Sequence, residues 1–209
     1  MRSLWIFLPL VLAIATTEST AADDVVRGGE LYAPCAACHG AAGEGNFDLK
    51  APRLNHLAPV YLAAQLQKFK SGARGGSGAS DAAVQMAAMA ATLPDDQSRY
   101  DVTAYIVTLA GGVSAVTIEA DKQQGAGYYK QFCAACHGPG AEGNLALNSP
   151  RLAGTDDWYL VSQLEAFRSG PRGTHPDDRT GKQMRAMAGV LPDEEAVEAV
   201  AAYIRSLEP

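Results

Sequence analysis

Five residues, Cys35-Ala36-Ala37-Cys38-His39, recur letter for letter as Cys133-Ala134-Ala135-Cys136-His137, 98 positions further on. The copies sit inside a longer duplication at the same offset. Gly45-Asn46 matches Gly143-Asn144, Pro52-Arg53-Leu54 matches Pro150-Arg151-Leu152, and Tyr61-Leu62 matches Tyr159-Leu160. Gln65-Leu66, Phe69, Arg74-Gly75, Gln85-Met86, Met89, Leu93-Pro94-Asp95 and Tyr105-Ile106 recur in the same way. A period this long marks a duplicated domain and not a solenoid. The chain must therefore fold as two small similar units, for which 209 residues are enough. The repeat reads as ungapped, with a join around Ala110-Gly111-Gly112-Val113-Ser114. The expected parts are 1–22, 23–112 and 113–209.

C-x-x-C-H is the attachment pattern of c-type haem, in which two thiols bond the porphyrin and the next histidine ligates iron. On one helical turn, cysteines three apart share a face, and the adjoining histidine points back between them. Cys35, Cys38, Cys133 and Cys136 are all the cysteines of the chain, so two haems consume every thiol. A zinc site would need converging ligand pairs, and a thioredoxin-like pair would need a βαβ pattern. The second pattern is missing, and the exact duplication favours two haems.

The rest of each unit reads as helical. One helix is expected over about 24–38, copied at about 120–136. A second is expected over about 59–70, with Pro59 in its first turn and Gly72 beyond its end, copied at 156–168. The last begins at Pro94-Asp95 or Pro192-Asp193. It carries Val102, Tyr105, Ile106 and Leu109 in one unit, and Val200, Tyr203, Ile204 and Leu207 in the other, an i, i+3, i+4, i+7 stripe. Gly-, Pro- and Asn-rich loops lie between, and no run alternates as a strand does. The expected fold class is all-α.

Met1-Arg2, the apolar run from Leu4 to Ala15 and the small residues Ser19 to Ala22 read as a secretory signal peptide, cleaved near Ala21/Ala22. The run falls short of the roughly 20 apolar residues of a membrane span. Covalent haem is assembled outside the cytoplasm and free C-x-x-C pairs oxidise there, so export and motif agree on a periplasmic location. The net charge is −6, with −2 in 23–112 and −4 in 113–209. Neither half shows a basic stripe, which argues against nucleic acid as a partner.

With histidine on one side of the iron, the sixth position decides between carrier and enzyme. His56 and His175 are not at equivalent positions and read as exposed loop residues. Met86 and Met89 recur as Met184 and Met187, and within each pair the spacing does not choose the ligand.

Taken together, the tandem haem motifs, G-x-x-x-E-G-N, P-R-L, Y-L…Q-L…F and M-x-x-M-A…L-P-D resemble the soluble diheme cytochromes c of the cytochrome c4 type. The resemblance covers essentially the whole mature chain. It implies two tandem class I cytochrome c domains in a pseudo-two-fold arrangement, each with one covalent haem c. It also implies an axial methionine seven residues before the Leu of L-[SP]-D. That selects Met86 and Met184, opposite His39 and His137, with Met89 and Met187 as neighbours. Pro52 and Pro150 are expected to accept the proximal imidazole N–H. Tyr61, Tyr159, Arg74 and Arg172 are expected to meet haem propionates. The implied function is one-electron transfer between respiratory or dehydrogenase partners, among them a terminal oxidase or a quinol-oxidising complex, with peripheral membrane association through them. The rival readings are a diheme peroxidase, a small-anion dehydrogenase, or a cytochrome subunit of a dehydrogenase or oxidase complex.

Overall fold

The computed structural model describes residues 21–207, so the signal segment expected at 1–22 lies almost wholly outside the described residues. Among the described residues nine α-helices follow in order: α1 (Ala21–His39), α2 (Pro59–Lys70), α3 (Asp81–Ala91), α4 (Asp96–Ile106), α5 (Lys122–Tyr128), α6 (Ala134–His137), α7 (Asp157–Ser169), α8 (Arg179–Ala188) and α9 (Glu194–Ser206). The only β pairing among the described residues is two isolated bridges, Asn46 with Ala51 and Asn144 with Ser149. The all-α expectation holds.

Capping explains several boundaries. Asp95 and Asp193 stand before α4 and α9 and accept the N–H of Ser98 and Ala196, so the shared L-P-D is the approach to a helix. The last helix packs across the first in both units, and the stripe read from sequence faces inward. Val102 and Ile106 lie in one core with Tyr32, Leu62 and Leu93, while Val200 and Ile204 lie in the other with Tyr129, Leu160 and Leu191. Burying each of these aliphatic side chains contributes roughly 1.5–3 kcal/mol. The crossing is close enough to require glycine. A Cβ on Gly28 would meet the Asp101 carbonyl oxygen at 2.0 Å, and one on Gly125 would meet that of Ala199 at 1.9 Å.

Two features depart from the sequence reading. The methionine pairs lie on helices of their own, α3 and α8, between a loop and the last helix, where the sequence reading assigns no element. The duplication is also not ungapped. Gly28 and Gly125 are structural equivalents 97 residues apart, as are Tyr32 and Tyr129. Both tyrosines donate to a backbone carbonyl, of Gly40 at 2.8 Å and of Gly138 at 2.7 Å, and both lie 5.5 Å from the tyrosine of the last helix. The second unit therefore holds one extra residue between its tyrosine and its first cysteine. A π-helical turn at Tyr129–Cys133 absorbs it and splits into two helices the counterpart of α1.

Segment 107–121 joins the units, and polar side chains fasten it. The buried Asp157 carboxylate accepts the N–H of Thr117 at 2.8 Å and of Ile118 at 2.9 Å, together with the Thr117 hydroxyl at 2.6 Å. Its neighbour Asp156 accepts the Ser114 hydroxyl and the Arg53 N–H of the first unit, the latter at 2.9 Å.

Candidate haem sites and the seam between them

Each C-x-x-C-H closes a helix, α1 in one unit and α6 in the other, and each histidine is the last helical residue. Both imidazoles are buried, His39 at 7% and His137 at 4% exposure. Each holds its Nδ1 at 2.8 Å from a proline carbonyl, of Pro52 in one unit and Pro150 in the other. A carbonyl only accepts, so Nδ1 must carry the proton, which leaves Nε2 with a free lone pair. Burial pushes both imidazole pKa values down, and the carbonyl bonds offset this only in part. The neutral, Nε2-directed ring is the form that ligates iron.

Met86 and Met184 are half-buried on α3 and α8, while Met187 is 38% exposed. No three His, Cys, Asp or Glu side chains converge among the described residues as a metal cluster would require, so the zinc alternative gains nothing from the fold.

The four residues assigned to propionates come together across the seam between the units. Arg74 donates to Gln65 of its own unit at 3.0 Å, and to Tyr159 and Gln163 of the other at 2.6 and 2.8 Å. Arg172 reciprocates, reaching Gln163 at 2.7 Å, Gln65 at 3.0 Å and the Tyr61 hydroxyl at 3.4 Å. Each guanidinium also stacks on a phenylalanine of its own unit, Phe69 or Phe167. Gln65 and Gln163 were missed as members of this cluster, although both belong to the repeated positions.

No acid hydrogen-bonds to this pair, although the Asp178 carboxylate lies near enough to Arg172 to feel its charge. Arg74 and Arg172 are 7% and 8% exposed, and every hydrogen-bond partner they have is neutral. Burial raises the Tyr61 phenol, yet the two guanidiniums outweigh it and bring it below its usual value. Burial and the neighbouring Arg74 charge lower Arg172 itself. Buried cations bonded only to neutral groups cost free energy that a further anion would offset. Haem c, which the cysteines and histidine of each unit would hold, would bring carboxylates of the kind that offset such charge. The residues present therefore fit c-type haem.

His56 corrects another expectation. It does not lie in an exposed loop but packs into the seam, its Nε2 2.8 Å from the Thr155 hydroxyl. Burial first, then the Arg53 and Arg151 charges, push its pKa down to about 3. His175 stays near the surface, where its Nδ1 accepts the N–H of Asp177 at 3.2 Å. A basic face on α8, formed by Arg179, Lys182 and Arg185, likewise overturns the reading that neither half has a basic stripe. The net charge of 113–209 concealed it.

The family model for cytochrome c matches residues 25–110 and again 123–208. A cytochrome c4 of Azotobacter vinelandii is 31% identical, over 99% of this chain and all of that protein. A thiosulfate dehydrogenase electron acceptor of Thiomonas intermedia is 33% identical over 81% of each. The crystal structure of reduced cytochrome c4 from Pseudomonas stutzeri superposes with a TM-score of 0.69 at 30% identity, covering 88% of this chain and 98% of that one. Two matched domains, each with its cysteine pair and histidine, carry two covalently bound haem c groups. The chain belongs to the cytochrome c family, as a diheme electron carrier of the cytochrome c4 type.

Proposed function

We propose that the protein is a periplasmic shuttle, not an enzyme, whose two irons are each held by histidine and methionine: His39 with Met86, and His137 with Met184. The observation that carries this reading is symmetry of provision. Both units offer the same anchored histidine and the same methionine on the same helix, so neither is set apart as a site for substrate. Each bound haem supplies a one-electron couple, and a thioether ligand raises its potential. The protein keeps the couple ready. Pro52 and Pro150 fix ring orientation, and the packed first and last helices limit rearrangement and water entry. The Tyr61, Tyr159, Arg74 and Arg172 cluster offers donors and positive charge to propionates. The name of the Thiomonas relative supports a dehydrogenase as one electron donor. No described helix is long and apolar enough to cross a membrane, and the membrane association in this reading runs through membrane-bound partners.

Optical spectra of the two-haem protein test the ligation. Both haems should show the long-wavelength thioether–iron band. Met86→His and Met184→His should each abolish half of it, while Met89→Leu and Met187→Leu leave it intact. A high-spin signal from one haem at neutral pH, or loss of the band on replacing Met89 or Met187, would refute the assignment.

A further inference from the structure

The methionine-bearing helices differ most where they face outward. At the positions where α3 presents Asp81, Val84 and Ala87, α8 presents Arg179, Lys182 and Arg185. The three α8 cations are exposed. Arg179 and Arg185 meet no acid among the described residues, and Lys182 donates to the carbonyl of Pro176 at 2.7 Å, which leaves its charge uncompensated. Beside them, Arg168 at the end of α7 shares a shallow cleft with Lys182, Arg185, Ala186 and Val190, and only Arg168 is paired, with Glu165 at 2.6 Å. The equivalent positions of α3 carry no cation and Val84 is 49% exposed, which leaves the first unit Lys70, at the position of Arg168 and donating to the Leu93 carbonyl at 2.6 Å, where the second unit has four cations. Because 113–209 carries a net −4, this face is a local inversion of sign and not part of a basic domain.

We infer that the outer face of α8 is the docking surface for an acidic protein partner, which exchanges electrons through the second unit. The α3 face receives no such partner, so the two units serve different ones. Ten residues of helix span about 15 Å, under two Debye lengths of about 8 Å at physiological salt. A cluster of carboxylates on a folded protein matches that reach. A longer polyanion, such as duplex DNA or an anionic lipid surface, would also press against the acidic remainder of the unit. Complementary charge of this kind acts mainly on encounter rate and partner choice. The inference rests on the carrier reading only for its redox consequence, since docking itself needs no assumption about Met184.

The test is a chemical-shift titration of the ¹⁵N-labelled two-haem protein with a plant-type ferredoxin, an acidic one-electron protein. Phosphatidylserine vesicles and duplex DNA serve as competing probes. Shifts should cluster at Arg179 to Arg185 and Gly173 and spare Asp81 to Ala87. Arg179→Glu with Arg185→Glu, which breaks no internal bond, should weaken ferredoxin binding by at least about tenfold and leave the haem spectra unchanged. Shifts centred on α3, no binding, an unaffected double variant, or tighter binding to vesicles or DNA would each overturn the proposal. A failed thioether assay would not alter the shift map, so the two readings fail separately.

Discussion

Lys68 on α2 reaches across the seam and places its Nζ 2.6 Å from an Asp178 oxygen and 2.6 Å from the Thr180 hydroxyl. Asp178 is 1% exposed on its side chain and caps α8, accepting the Gly181 N–H at 2.9 Å. One carboxylate thus starts the helix that carries Met184 and also ties it to the first unit. The first unit has no counterpart, because Ser80 caps α3 and Ala166 stands where a lysine would be needed. Replacing Lys68 by Met keeps most of the stem and removes the charge. Breaking a buried pair in this way costs about 3–5 kcal/mol. Asp178 would keep the Gly181 N–H and the nearby Arg172 charge, so the lower end applies, about 3 kcal/mol. For a chain of this size that corresponds to a fall in Tm of roughly 6–12 °C.

Thermal unfolding of the two-haem protein, followed by circular dichroism, measures the effect. A cycle with Asp178→Asn isolates the pair, because asparagine still caps a helix. The coupling should be at least about 1.5 kcal/mol, and additivity within about 0.5 kcal/mol would refute the reasoning. The pH dependence has a definite sign. Burial raises the Asp178 carboxyl, but the Lys68 and Gly181 bonds outweigh it and hold it below its ordinary value of 3.8. Its contribution is therefore fully present above the unfolded pKa and lost as pH falls through the folded one. The gap between wild type and Lys68→Met should close in that acid range and stay constant near neutrality.

Asp157→Ala should cost about 3 kcal/mol in urea unfolding, because it strands the buried linker donors of Thr117 and Ile118, and should speed proteolysis within 113–121. His56, held neutral in the fold with its pKa near 3, lets the unfolded state bind more protons below the ordinary histidine value of 6.5. Wild type should therefore lose up to about 1.4 kcal/mol per pH unit from that source as pH falls from 6.5 to 5, and His56→Gln should flatten the slope of urea midpoints. Arg172→Gln removes one of two buried cations from the seam and should lower the haem midpoint potentials in an optical redox titration. An unchanged potential would exclude the cluster from the propionates' surroundings.

The haem motifs, the duplication, the start of the last helix at Pro94-Asp95 and Pro192-Asp193 and its inward stripe were legible in the sequence. Each is a local regularity: a fixed spacing on one turn, a proline beside the start of its own helix, or a period of 3.6 residues that backbone hydrogen bonding enforces. The Met86 and Met184 helices were harder to read. Asp81 to Ala91 is nearly all alanine and apolar residues and lacks a polar flank to give it a period, although Ser80 and Asp178 supply the caps. The extra residue before Cys133 had left a trace in the spacing, since Gly-x-x-x-Tyr recurs intact while the step from tyrosine to cysteine grows from three to four. Only the tertiary structure decided that this residue becomes a π-turn, that Arg74 and Arg172 exchange tyrosines, and that Lys68 meets Asp178. Those contacts join residues 85 to 112 apart in the chain. They depend on how two separately folded bodies are oriented, and no local pattern records that orientation.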